Sequence, residues 1–124
     1  VKGWVTADGR QHEKVYDVAL SDNRKINPKT GKAPKVRNTV NVEKATYSND
    51  VGAAELATWW RDPDFRQSDN AFYYARVISI PIPRWTAYDA AYYGIKPDKD
   101  VPMVTTERAY GSPIWYTPFG QSHN

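Results

Sequence analysis

Hydrophobic and polar positions along this chain fall into short period-two runs divided by breakers. Val1–Thr6 reads as a strand and is followed by Asp8-Gly9, a dipeptide suited to tight hairpin turns. Glu13–Leu20 comes next, with Val15, Asp17 and Ala19 alternating against Tyr16, Val18 and Leu20, so the two segments predict a hairpin. Ser21–Asn38 holds Asn27-Pro28, Gly31 and Pro34 and reads as loop. Thr39–Val42 is β-branched and predicts a strand, continued by Ala45-Thr46-Tyr47 and ended at Ser48-Asn49-Asp50. Gly52–Arg61 is mixed: Ala53–Ala57 favours helix, Thr58-Trp59-Trp60 favours strand, and the distance between turns fits a strand. Leu56, Thr58 and Trp60 then share one face and Glu55, Ala57 and Trp59 the other, with one of the two tryptophans expected in the central core. Asp62-Pro63-Asp64 breaks the pattern. Ala71–Ile80 predicts the longest strand, with Tyr73, Ala75 and Val77 as its core face because Arg76 burdens the opposite one. Pro81 and Pro83 end its ladder, since neither can donate a backbone hydrogen bond. Thr86 as N-cap, Asp89 at the third helical position, Gly94 and Pro97 predict a short helix over Ala87–Tyr93. Val104–Ala109 and Pro113–Tyr116 supply a last, interrupted strand, and Phe119–Asn124 reads as a frayed tail.

The longest run carries a further signal. Asp69–Val77 fits the D-x-A-x-Y-x-C pattern of an immunoglobulin-type F strand, with Ala75 in the cysteine position. A tyrosine two residues earlier, here Tyr73, can hydrogen-bond back to the chain and lock a Greek-key corner. The predicted class is therefore mostly β, an immunoglobulin-like antiparallel β-sandwich with one short helix, in a single domain over residues 1–124.

Composition narrows the picture. At 124 residues the chain suffices for one domain with a core. Its aromatic supply is skewed, with nine Tyr and five Trp against three Phe and one Met, so many large rings carry a polar tip that needs a partner. The absence of cysteine excludes disulfides, thiolate catalysis and Cys-ligated metals. No apolar run is long enough to span a membrane. Val1-Lys2-Gly3-Trp4-Val5 begins as if already inside a strand, without a signal peptide's charged and apolar regions, and reads as part of something longer. A net charge of +3 is milder than a dedicated nucleic-acid binder shows.

Candidate chemistry is sparse. The basic loop holds Arg24, Lys25, Lys29, Lys32, Lys35 and Arg37 but no aromatic residue for stacking, which favours a solvated, mobile loop over a phosphate or acidic-partner contact. His12 and His123 stand apart, so neither a metal site nor a Ser-His-Asp arrangement can be built from them. Asp62, Asp64 and Asp69 could offer oxygens to Ca²⁺, but their spacing lacks a known loop pattern and favours a plain turn. Richest is the stretch holding Arg84, Trp85, Tyr88 and Asp89, which Glu107, Arg108 and Tyr110 could meet through the last strand. Guanidinium beside aromatics suits an anionic or sugar-like ligand or a domain interface, against a plainer Arg–Asp or Arg–Glu pair fastening the helix. No residue is nominated as catalytic or metal-ligating.

Val1-Lys2-Gly3-Trp4, Val15-Tyr16-Asp17-Val18-Ala19, Gly52-Ala53-Ala54-Glu55-Leu56, Asp62-Pro63-Asp64-Phe65, Phe72–Val77, Ile80–Trp85, Tyr88-Asp89-Ala90 and Ser112–Pro118 together resemble the C-terminal part of a bacterial family known as domain of unknown function 3604. The resemblance covers nearly the whole chain. It implies a longer protein whose upstream portion resembles a PHP-type metal-dependent hydrolase, often behind an export signal and hence periplasmic or secreted. The divalent metal and its His and Asp ligands would lie upstream, and none of those motifs maps onto this sequence. The expected role is an accessory β-sandwich that braces the upstream catalytic domain, with Arg84, Trp85 and Tyr88 at the edge of its active-site mouth and a small-molecule substrate beyond. The alternatives are a free-standing carbohydrate- or partner-binding module and a purely structural domain. Catalysis by this chain alone is the least favoured reading.

Overall fold

A computed structural model describes residues 1–119; His123 and the remainder of the expected tail lie outside the described residues. The architecture is antiparallel sheet with one short helix. Strand β1 (Lys2–Val5) pairs with β2 (Gln11–Lys14) through the expected hairpin. Its turn closes as the sequence dictates: Gly9 takes a left-handed φ of 81°, its N–H donates to Thr6 O at 2.8 Å, and the Thr6 hydroxyl donates to Asp8 Oδ1 at 2.6 Å. The second arm starts and stops earlier than Glu13–Leu20. From Val15 onward no strand lies alongside to pair, and the side chains turn to other tasks: Asp17 accepts the Ala33 amide at 2.8 Å and Tyr16 reaches Asp64.

On its other side β1 pairs with β3 (Asn70–Tyr73), and β3 pairs with β8 (Ile114–Tyr116), giving the order β2-β1-β3-β8. The long strand expected over Ala71–Ile80 is divided. After Tyr73 the chain leaves β1 and β8, and β4 (Arg76–Ile78) pairs instead with β7 (Arg108–Tyr110). The partner side changes too, at Gly111-Ser112-Pro113, where Pro113 has no N–H for a ladder. Beyond β4, the Ser79 amide donates to Glu107 O at 2.9 Å, β5 (Ile82–Pro83) pairs with β6 (Val104–Thr105), and the Arg84 amide donates to Met103 O at 2.9 Å. Residues 75–84 and 103–111 thus form one interrupted antiparallel ribbon.

Helix α1 (Trp85–Tyr93) grows from the end of that ribbon. It starts two residues before the expected Ala87, and its N-cap is Arg84, with an extended backbone and no side-chain cap. Thr86 is not the cap: its hydroxyl donates to Pro102 O at 2.6 Å and ties the helix to the segment that leads into β6. Gly94 ends the helix as expected, at a φ of 64°, and the Gly94 and Ile95 amides both return to Ala90 O.

Two expected strands are absent. Thr39–Val42 contributes only an isolated bridge, Asn41 to Thr46, around a turn in which Ala45 sits at a φ of 50°. Gly52–Arg61 is irregular and finds no partner strand, and neither tryptophan enters a core: Trp59 is 85% exposed and Trp60 is also exposed, its ring packed on Tyr16. The basic segment is loop, as expected, but tied down at several points. Arg24 donates to Ser21 O and Pro34 O, and Arg37 pairs with Asp50 at 2.7 Å.

The core is small. Among the described residues, the buried hydrophobic side chains are Ala45, Ala71 and Ala87. The expected core face of the long strand does not hold: Tyr73 is half-buried, and Ala75 and Val77 are exposed, because the strand changes sheets between them.

Candidate functional site

The residues nominated from sequence lie along α1 and the ribbon that carries it. Arg84 caps the helix and is half-buried, while Trp85, Tyr88 and Asp89 are exposed on it. Trp85, Tyr88 and Tyr92 stand at helical spacing and form an aromatic stripe; Ala87, on a different face, is fully buried. Glu107 and Arg108 are exposed on the ribbon, where the Glu107 amide donates to the Ser79 hydroxyl oxygen at 2.8 Å. Arg84 and Met103 are joined through the backbone. No ion pair among the described residues links Arg84 or Arg108 to Asp89 or Glu107. The structure therefore gathers Arg84, Trp85, Tyr88 and Asp89 on one element and leaves Glu107 and Arg108 farther along the ribbon.

A second cluster sits on one face of the four-stranded sheet. The register places Lys2 opposite both Lys14 and Tyr73. Lys2, only 2% exposed, donates from Nζ to Asp62 Oδ2 at 2.7 Å and to Asp64 O at 2.9 Å, and lies 4.8 Å from the centroid of the Trp4 ring. Asp62 Oδ2 also accepts the Tyr73 hydroxyl at 2.8 Å, and Asp62 Oδ1 accepts the Asp64 amide at 2.8 Å. Next to this pair, Asp64 Oδ2 accepts Lys14 Nζ and the Tyr16 hydroxyl. Two lysines, two aspartates and two tyrosines thus form one connected network in which every member is engaged. The Asp62-Pro63-Asp64 turn lies over the sheet because its carboxylates neutralise the lysines that the sheet presents.

Electrostatics agree with this geometry. Burial pushes the Asp62 carboxyl up, but the combined hydrogen bonds of Lys2, Tyr73 and the Asp64 amide outweigh it and hold the group below its ordinary value. The hydrogen bonds from Lys14 and Tyr16 hold Asp64 low as well. Burial, then the adjacent aspartates, push the Tyr16 and Tyr73 phenols well above their ordinary value. Both tyrosines remain neutral donors at any physiological pH. The hydroxyl of Tyr73 does not close a corner onto the backbone, as the sequence pattern suggested; it is spent on Asp62.

A family model described as a protein of unknown function, DUF3604, matches residues 1–118. The chain belongs to the DUF3604 family. Comparison with curated proteins and with solved structures returns no match.

Within this DUF3604 chain, sequence reasoning found Asp62, Asp64 and Tyr73 individually but assigned them other tasks, and it missed Lys2, Lys14 and Tyr16. One signal was available. A lysine sharing a strand face with Trp4 must find a carboxylate if that face is buried, and Asp62-Pro63-Asp64 supplies two on a rigid turn. Among the described residues, no group of three His, Asp or Glu side chains is placed to hold a metal ion.

Proposed function

We propose that this chain is an accessory, non-catalytic module of a larger protein, bracing a neighbouring domain through the exposed aromatic stripe of α1. The observation that carries this reading is unfinished surface. The chain exposes 10185 Å², about one and a half times the roughly 6,700 Å² expected of a compact monomer of 14.1 kDa. A standard interface covers about 800 Å² per partner, so the excess is large enough for an extensive one. Trp85, Tyr88 and Tyr92 are exposed on one element, beside the half-buried Arg84, in the composition that favours buried interface centres.

The resemblance noted in the sequence supports a metal-dependent hydrolase as the larger protein, with a periplasmic or secreted setting and a small-molecule substrate. Among the described residues no group of three His, Asp or Glu side chains is placed to hold such a metal, and in this reading its ligands lie upstream. Arg84, Trp85, Tyr88 and Asp89 would border the catalytic mouth rather than act in it, and Glu107 and Arg108 would extend the same border along the ribbon. In this reading the antiparallel sheets belong to an immunoglobulin-like sandwich.

The test is substitution in the longer protein. Trp85→Asp and Tyr92→Asp should expose the segment after α1 to limited proteolysis and lower the melting temperature of the neighbouring domain. Unchanged cleavage and unchanged melting for both would overturn the docking role of α1.

A further inference from the structure

The face of the four-stranded sheet opposite the Lys2–Asp62 network carries a row of rings that runs from half-buried Phe72 and Tyr74 to exposed Trp115 and Tyr110. Phe72 lies across Gly3 of the neighbouring strand, where any Cβ would run into its ring. Trp115 stands directly opposite Phe72 on β8, with ring centroids 5.2 Å apart. The row continues from Phe72 to Tyr74 at 6.4 Å and from Tyr74 to Tyr110 at 6.2 Å. At the Trp115 end an open cleft of about 660 Å³ runs beside β1 and β2, within the range of small-ligand sites.

The lining of that cleft limits its ligand. Gln11, Glu13 and Thr117 offer an amide, a carboxylate and a hydroxyl, which together supply both donors and acceptors. No lysine or arginine lines it, and the His12 ring at its edge is stacked on Trp4 at 5.0 Å, so phosphate, sulfate or nucleotide ligands find no permanent counter-charge. Trp115 is 72% exposed and presents an aromatic surface instead. A stacking ring next to neutral and acidic hydrogen-bonding groups fits a molecule with apolar C–H faces and hydroxyl edges. From this we infer that the cleft binds a neutral oligosaccharide, stacked on Trp115 and hydrogen-bonded along Gln11, Glu13 and Thr117, with Phe72, Tyr74 and Tyr110 extending the platform for further sugar rings. The inference is independent of how α1 docks, since α1 contributes nothing to the cleft.

Titration calorimetry and tryptophan fluorescence against neutral hexasaccharides of β-1,4-glucan, β-1,3-glucan, xylan and mannan test it directly. At least one should bind saturably and perturb tryptophan emission. Trp115→Ala should weaken that binding about tenfold or more, as loss of an anchoring aromatic does, whereas Trp59→Ala, far more exposed and outside the cleft, should leave it unchanged. Gln11→Ala should reduce affinity less than Trp115→Ala. Absence of saturable binding to all four probes would overturn the inference, as would full retention of binding by Trp115→Ala. Stronger binding of a sulfated hexasaccharide or of tetramethylammonium than of any neutral probe would overturn the assignment of ligand class.

Discussion

The two faces of the four-stranded sheet solve opposite problems with the same strands. On one face β1 presents Lys2 and β3 presents Tyr73, and the Asp62-Pro63-Asp64 turn covers both with carboxylates. On the other face β1 presents Gly3 and β3 presents Phe72, and the aromatic row that follows is exposed at Trp115 and Tyr110. The first face is polar and closed around Lys2, which is 2% exposed; the second is apolar and open around Trp115. A surface sealed by ionic and hydrogen-bonded pairing is a finished part of the fold, whereas an open aromatic surface is available to something else. The contrast separates residues that hold the molecule together from residues free to act.

The most disruptive way to break that contrast is to open the closed face. Asp62→Ala leaves Lys2 buried without its carboxylate and Tyr73 without its acceptor, and should cost about 3 kcal/mol or more in chemical denaturation. Asp62→Asn, which keeps shape and part of the hydrogen bonding, should cost less. A loss below about 1 kcal/mol for Asp62→Ala would show that water reaches Lys2 freely. Gly3→Ala attacks from the other side by pushing a methyl group into the Phe72 ring, and should cost roughly 1–3 kcal/mol. Shortening the ring in Gly3→Ala/Phe72→Leu should restore part of the loss, so that a thermodynamic cycle gives a coupling rather than simple additivity.

Tyr73→Phe removes one donor from Asp62 and should cost about 1–2 kcal/mol. The outcome also sharpens the contrast, because a cost near zero would place the phenol in solvent. Acid should act in the same direction. Asp62 and Asp64 have folded-state values below their ordinary ones, so their stabilisation is present above the unfolded carboxylate value of about 4 and is lost as pH falls through the lower folded value. A melting curve followed downward from pH 5 should therefore fall, and should fall less steeply in Asp62→Asn. A residual slope is expected, since Asp8, Asp22 and Asp50 are held low as well. Smallest of all should be Trp115→Ala on the open face, with a stability change within about 0.5 kcal/mol because its ring is mostly exposed.

What could be read from sequence followed the range of the signal. The Asp8-Gly9 turn, the strand entering at Ala71 and the Gly94 helix stop are local decisions made by backbone conformation, and each occurs where expected. Thr39–Val42 and Gly52–Arg61 had suitable residues but no neighbouring strand, and a strand without a ladder is not a strand. Trp59 and Trp60 were expected inside because large rings usually are, yet no second layer of the described chain reaches them. The divided strand at Tyr74-Ala75 depends on Gly111 and Pro113, more than thirty residues away, which alternation alone could not reveal. The Lys2–Asp62 network was hidden for the same reason: its parts look ordinary until the register of β1 against β3 brings them together. For the candidate surface, Arg84, Trp85, Tyr88 and Asp89 were legible as a group because they share one helix, while Glu107 and Arg108 were placed too near them.

The pairing of Lys2 with a carboxylate 60 residues later also sets an order of events during synthesis. The β1–β2 hairpin can emerge from the ribosome complete, but it has nowhere to put the Lys2 charge until Asp62 and then β3 follow. An unpaired ammonium favours water, so the hairpin alone has no reason to bury that face. Only when the aspartate turn arrives does the nascent strand gain a reason to turn inward. Burial of Lys2 is thus a long-range decision, available to the first strand only once a carboxylate 60 residues along the chain is in place.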